Sequence, residues 1–429
     1  MLATLSNLFP RPDQPRRGLF NLHLFRALAE ALGSETQGVP GSEPQVPPSS
    51  SLLNICLVPE WRWWRWPAIH AWDGFSPEGT GSPAPFETRY QPVWYAPGAG
   101  RDWNWLTYSR SLKAVSNAVR WRKAVLAAWL YPDGVAAARL ARELGVPCWI
   151  LAQGSDAFHL RHSRRRAAIL KASESVEGFF CVCKPLADVL LRAGIPARKI
   201  QVTSNGVDTR LFQFRTRAEA AVTLAAVPAG PGAEVDVSDL SVRYALFVGN
   251  LVPVKGPDLL LEAWARMLNE AGTRRGTRLA LIVLGDGPLR GELRRQARRL
   301  GIADTVRFLG SRPQNEVALW MNAADVLCLP SRSEGMPNVA LEALVSGLPL
   351  VVSDAGNCRE IVADEPGARV AIPGDTRAFA AGLGELLATR LDRQALMERH
   401  RAKYSWRRQA DSILDAMPDL RSPVVRPPL

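Results

Sequence analysis

The sequence has no run of about 18 apolar residues, the length a helix needs to cross a bilayer, so no transmembrane helix is expected. Its opening, "MLATLSNLFPRPDQPRRG", lacks the apolar core of a signal peptide. Cysteine is scarce. The six are scattered, and Cys181 and Cys183 in "CVC" have a poor metal spacing with no partner cluster, so reduced core thiols of a cytoplasmic protein are the plain reading. No Asp-x-Asp pair occurs, so neither an essential metal nor a cofactor is expected, and no side chain stands out as a nucleophile.

What is present suits two globular domains: 429 residues, 47% of them apolar. The formal charge of +12 is uneven, with 25 Lys/Arg against 16 Asp/Glu in residues 1–212. Such a basic face attracts phosphates, anionic lipid headgroups or nucleic acid, unless it is simply a solvated surface.

Apolar periodicity organises the chain. "GLFNLHLFRALAEALG" (18–33) has helical spacing and a glycine suited to a C-cap, and the Pro/Ser/Gly-rich "SETQGVPGSEPQVPPSSS" after it reads as a flexible loop. Short apolar strands such as "SLLNICLVP", "VPCWILAQG" and "EGFFCVC" then alternate with helices such as "VAAARLARELG" and "KPLADVLLRAG". Residues 221–241 break the rhythm and read as an insertion or surface loop. A second strand–helix series starts at "YALFVGN", and the chain closes with the helix "YSWRRQADSILDAM" and a loose tail. Buried strands between amphipathic helices indicate α/β domains with parallel sheets covered on both faces.

In open parallel sheets, ligands sit beyond the carboxyl ends of the strands. "FVGNLVPVKG" places Gly249, Asn250 and Lys255 there, "IVLGDGP" places Gly285, Asp286 and Gly287, and "CLPSRSEGMPN" places Ser331 and Glu334. Glycines admit a close ligand, and Lys255 offers a point charge to phosphate. Pro337 suits the first turn of a helix, leaving N–H groups of Gly335, Met336 and Asn338 as an anion site. Glu334 and Glu342 stand eight residues apart, about 12 Å if helical. A bond-cutting glycosidase pair needs roughly 5–9.5 Å. The two acids therefore suit opposite ends of an elongated ligand with an anionic middle, such as a sugar–diphosphate–nucleoside, and either end could be the sugar or the ribose.

With these residues in hand, the chain resembles the retaining glycosyltransferases of family four. The dense part is "FVGNLVPVKGPDLLLEAW", "VLGDGPLRGEL" and "VRFLGSRPQNEVALWMNAADVLCLPSRSEGMPNVALEALVSGLPLVVSDAGNCREIV", with upstream support in "LYPDGVAAARLARELGVPCWILAQGSDAFHL" and "KIQVTSNGVDTRLF". The opening "LFPRPDQPRRGLF" is similar to a branch that makes wall polysaccharide and teichuronic acid. The resemblance implies the GT-B fold, two facing Rossmann-like doubly wound domains with a cleft between them. Residues 1–215 would bind acceptor, 216–398 would bind nucleotide-sugar, and 399–429 would hold a C-terminal helix, packing back on the first domain, and the tail.

The resemblance assigns Glu334 to the transferred sugar, Glu342 to the ribose and Lys255 to phosphate. It places the loop at Gly18 near the donor diphosphate, Phe308 and Leu309 at the nucleobase, and makes Asp156 a catalytic candidate, although a cap at a helix start explains Asp156 equally well. Asn250 stands where the family usually has Arg, and Gln153 where many members have His; His159 and His162 are not promoted in its place. The implied reaction is metal-independent transfer of a hexose from a nucleotide-sugar to an acceptor hydroxyl, in cell-surface polysaccharide or glycolipid synthesis. Eleven of the 14 tryptophans lie in 61–149, and "PEWRWWRWPAIHAWDG" (59–74) with "RHSRRR" (161–166) could lay the N-terminal domain on the anionic inner face of a membrane carrying a lipid-linked glycan. Stacking of sugar rings on Trp, or core Trp with solvated Arg, are the other readings. Two rival functions remain: a nucleotide-sugar epimerase or hydrolase on the same fold, and a nucleic-acid-binding protein, which would leave the loops of the second domain idle.

Overall fold

The computed structural model describes residues 1–15, 17–34, 51–60, 84–226, 239, 241–270, 278–417 and 420. The Pro/Ser/Gly-rich stretch, nearly all of the Trp/Arg stretch 59–74, the greater part of 221–241 and the tail 421–429 lie outside them.

Two compact units emerge. The first comprises Met1–Gly206 with Trp406–Leu429, the second Val207–Ser405. The boundaries differ from those expected, for a physical reason. Residues 207–215 stay with the second unit because the Asn322 side chain accepts from Arg215 N–H at 2.8 Å and donates to the Gln213 carbonyl at 3.0 Å. Residues 399–405 do so because Glu365, nearly inaccessible, accepts from Arg399 and from His400 Nε2 at 2.7 and 2.9 Å.

The first unit holds seven strands: β1 (Leu2–Ser6), β2 (Leu52–Glu60), β3 (Glu87–Trp94), β4 (Ala124–Ala127), β5 (Cys148–Ala152), β6 (Gly178–Cys181) and β7 (Ile200–Val202). All pair in parallel, in the order β3-β2-β1-β4-β5-β6-β7. The central strands β1 and β4 are buried along their whole length, as in a parallel sheet covered on both faces. Helix Leu19–Ser34 packs on helix Trp406–Asp415, where Trp406 stacks on His23 at 5.8 Å. Gly33 lies within the first of these helices rather than capping it.

The second unit repeats the design with β8 (Val242–Val248), β9 (Arg278–Leu284), β10 (Val306–Gly310), β11 (Val326–Leu329), β12 (Leu350–Ser353) and β13 (Ala368–Ala371), ordered β10-β9-β8-β11-β12-β13 and all parallel. Its core gathers Trp264, Phe247 and Phe379 between sheet and helices. Half-buried Arg393 staples two helix ends, donating to the carbonyls of Met321, Asn322 and Ala324 and of Gly347. It thereby anchors the far end of helix Asn338–Val345, whose start faces the site. All six cysteines are buried and free of disulfides, and no helix among the described residues is long and apolar enough to cross a membrane.

Candidate functional site

In each sheet the strand order reverses direction at one point, between β1 and β4 in the first and β8 and β11 in the second. Ligands bind outside the carboxyl ends of strands at such a switch point.

In the second unit the loops after these strands interlock through their backbones. Gly249 N–H donates to the Leu284 carbonyl, Gly285 N–H to Gly310 and Leu251 N–H to Asp286, at 2.8–3.0 Å. Gly285 has φ 147°, and a Cβ there would stand 1.9 Å from the Gly249 carbonyl oxygen, so only glycine lets the loops meet. Asp286 is half exposed and turned onto its own loop, accepting from Gly287 N–H at 2.8 Å and from Arg290 at 3.0 Å. Asn250 is exposed, and its carbonyl takes the Val252 N–H. Phe308 and Leu309 are half-buried in β10; the Leu309 carbonyl accepts from Arg312 Nε at 3.1 Å, and the Arg294 guanidinium lies 5.9 Å from the Phe308 ring centre.

Lys255 ends the short turn Pro253–Lys255 after β8, and Glu334 lies on the loop after β11. The structure joins them: Lys255 Nζ sits 2.7 and 2.9 Å from the two carboxylate oxygens of Glu334. Ser331, buried, donates to the same carboxylate at 2.6 Å. Pro337 is the N-cap rather than part of the first turn, so the helix begins at Asn338. The helical part of the Glu334–Glu342 spacing is therefore only about 6 Å, and the rest is loop. Met336 is buried, and Gly335 and Asn338 each have an interaction within the protein. Glu342, partly buried on this helix, makes no side-chain bond or ion pair to another described residue; burial pushes its carboxyl up to about 7.

In the first unit Gly18 is buried at φ 65°, where a Cβ would lie 2.3 Å from the Leu8 carbonyl. The Gly18 carbonyl opens helix Leu19–Ser34 by accepting from Asn21 and Leu22. Asp156 is a backbone pin. Fully buried, it accepts N–H bonds from Gln153, Gly154 and Leu130 at 2.8–3.2 Å, which leaves its carboxylate no free face for chemistry. Gln153 donates its amide to Asn21 Oδ1 at 2.6 Å. His159 faces Tyr131 and Arg165, and burial beside that guanidinium lowers its pKa to about 4.

Sequence reasoning passed over Asp133, which is fully buried and binds Asn7 through N–H and side-chain amide at 2.6 and 2.9 Å. Burial raises its carboxyl to about 7. The signal was available in "YPDG", a carboxylate in the helical turn Leu130–Gly134 that follows β4. Arg332 and Asp258, which pair at 2.6 Å beside the Lys255 turn, carried no signal.

Comparisons with known proteins agree with this layout. Residues 235–403 match the family model described as glycosyl transferases group 1, and residues 69–211 match glycosyltransferase family 4. The D-inositol 3-phosphate glycosyltransferase of Geodermatophilus obscurus is 39% identical over 176 residues, 40% of this chain and 39% of the relative. The enzyme of that name from Saccharomonospora viridis is 33% identical over 227 residues, 50% and 49% of the two chains. The chain thus spans less than half the length of these curated relatives. Among solved structures, Anabaena HepE in complex with UDP and glucose superposes with a TM-score of 0.68 at 16% identity, covering 98% of this chain and 100% of its own. WaaG, a glycosyltransferase involved in lipopolysaccharide biosynthesis, gives 0.62 at 18% identity, covering 97% and 99%. With two parallel-sheet Rossmann-like units the chain has the GT-B fold, and residues 69–211 and 235–403 carry its two glycosyltransferase family regions.

Proposed function

We propose that this protein is a retaining glycosyltransferase that moves a hexose from a nucleotide-sugar to an acceptor hydroxyl. The contact of Lys255 with Glu334 at the head of helix Asn338–Val345 carries the reading, because it sets a cation and a carboxylate together at the switch point of a parallel sheet. In this reading the diphosphate takes the Lys255 ammonium, the transferred sugar donates hydroxyls to Glu334, and the ribose donates to Glu342. The bond from the anomeric carbon to phosphate oxygen breaks as the bond to the acceptor oxygen forms on the same face. The acceptor proton passes to the departing phosphate oxygen. Lys255 and the helix N-terminus stabilise the charge that leaves, with no metal ion assigned a part.

The donor to test first is a UDP-sugar, since HepE is described with UDP and glucose. The proposed acceptor is a cell-surface glycan or glycolipid presented at the inner face of a membrane. Trp103 and Phe158 support it: both are about half exposed, with the Arg164 and Arg161 guanidinium groups 5.7 and 4.8 Å from their ring centres. A small inositol phosphate is the competing acceptor, because the curated relatives are named for it.

The test is a screen of nucleotide-sugars by thermal shift and nucleotide release, in the presence and absence of chelator. Stabilisation by one nucleoside diphosphate and transfer with retained anomeric configuration are the expected results. Free sugar as the sole product makes the protein a hydrolase, an inverted hydroxyl in the recovered donor makes it an epimerase, and silence across all donors overturns the reading.

A further inference from the structure

Lys255 and Glu334 are 79 residues apart in the chain, on loops that reach the site from different strands. Their meeting needs something that fixes one loop against the other. We propose that Arg332 is a positioning residue that holds the turn carrying Lys255 against the loop carrying Glu334. Its backbone N–H donates to the Val254 carbonyl at 2.8 Å. Its guanidinium donates to the Pro253 carbonyl at 2.6 Å and forks onto both Asp258 carboxylate oxygens at 2.9 and 2.6 Å. Every one of these bonds lands within Pro253–Asp258, on both sides of Lys255. The residue before Arg332 is Ser331, which fixes Glu334. A lysine side chain has four rotatable carbons, so its ammonium holds a fixed place only if the backbone beneath it does. Arg332 thus acts through Lys255 and touches no ligand.

The clamp lies at the surface, with side-chain exposures of 41% and 35% for Arg332 and Asp258. An exposed pair adds little to global stability, so a positioning role separates cleanly from a merely structural one.

The inference rests on the glycosyltransferase reading above. In Arg332→Ala, turnover should fall about tenfold while donor KM and Tm stay near wild type, because leaving-group stabilisation suffers and ribose binding does not. Arg332→Lys should be as slow, since an ammonium cannot fork. The swapped pair Arg332→Asp with Asp258→Arg should recover part of the loss. Hydrogen exchange gives a readout independent of activity: amides of 253–256 should exchange faster in Arg332→Ala than in wild type. Unchanged exchange there, wild-type turnover in Arg332→Ala, or a loss of rate matched by a fall in Tm overturns the inference. A wild-type protein inactive on every donor overturns the glycosyltransferase reading instead and leaves the exchange result to decide on the clamp.

Discussion

Lys255 Nζ lies 2.7 Å from Glu334 Oε1 and 2.9 Å from Oε2, so the cation and the carboxylate neutralise each other before any donor arrives. On the proposed reading a bound diphosphate competes with Glu334 for the ammonium, and Ser331 keeps Glu334 in place as the ammonium turns. Lys255→Ala should lower kcat by a factor of about 10²–10³, the usual effect of removing one group that stabilises developing charge. Donor KM should change far less. Glu342→Gln should do the reverse, weakening nucleotide binding with a smaller effect on kcat. Steady-state kinetics on the donor found in the screen separate the two, and equal, negligible effects would remove both assignments.

Glu342 supplies a pH dependence. Burial pushes its carboxyl up to about 7, and no described residue gives it a hydrogen bond or ion pair that would favour the charged form. Ribose hydroxyls donate to the ionised carboxylate, so affinity for nucleoside diphosphate should fall by about tenfold between pH 8 and pH 6. The stability effect has the opposite sign. An acid whose folded pKa exceeds its unfolded value of 4.5 costs the fold stability as pH rises from 4.5 to 7. Glu342→Gln should therefore bind nucleotide weakly and without this pH dependence, yet melt above wild type at pH 8. Calorimetric titration and thermal unfolding across pH 5.5–8.5 check both halves.

The periodicity of the second unit was readable because its strands are short apolar runs bounded by Gly, Pro and Asp. β8, β9 and β11 fall on the segments expected, as do the loops that hold Lys255 and Glu334. Other elements left no such trace. β3, "ETRYQPVW", is an edge strand with charges and a proline, and β4 is four residues long. Partnership across loops was also hidden: spacing set Glu334 and Glu342 at opposite ends of a loop and helix, but not the ammonium of Lys255 against Glu334. Asp156 shows the limit of assigning a role by position, since a carboxylate after a buried strand can serve a ligand or its own loop. Here it serves the loop.

In Asp156→Ala the N–H groups of Leu130, Gln153 and Gly154 lose their acceptor at a site closed to water. Each buried donor left unpaired costs about 1–3 kcal/mol, so the first unit should lose several kcal/mol and its loop after β5 should open. A catalytic Asp156 would instead leave the melting temperature intact and abolish turnover. Thermal unfolding together with hydrogen exchange over 130–156 distinguishes the two.

The meeting of the β8 and β9 loops tests whether the site depends on backbone approach itself. Gly285→Ala would force a methyl to 1.9 Å from the Gly249 carbonyl oxygen, a backbone atom that moves only if the whole loop moves. Gly310, at φ 76° with open space where its Cβ would be, is the matched control. Gly310→Ala should lose about 1–2 kcal/mol from the left-handed backbone alone. Gly285→Ala should lose more than that and should also weaken nucleoside diphosphate binding, because Lys255 lies on the loop that has to retreat. Paired melting curves and nucleotide titrations of the two variants decide it: equal losses would mean that the close approach carries no part of the site.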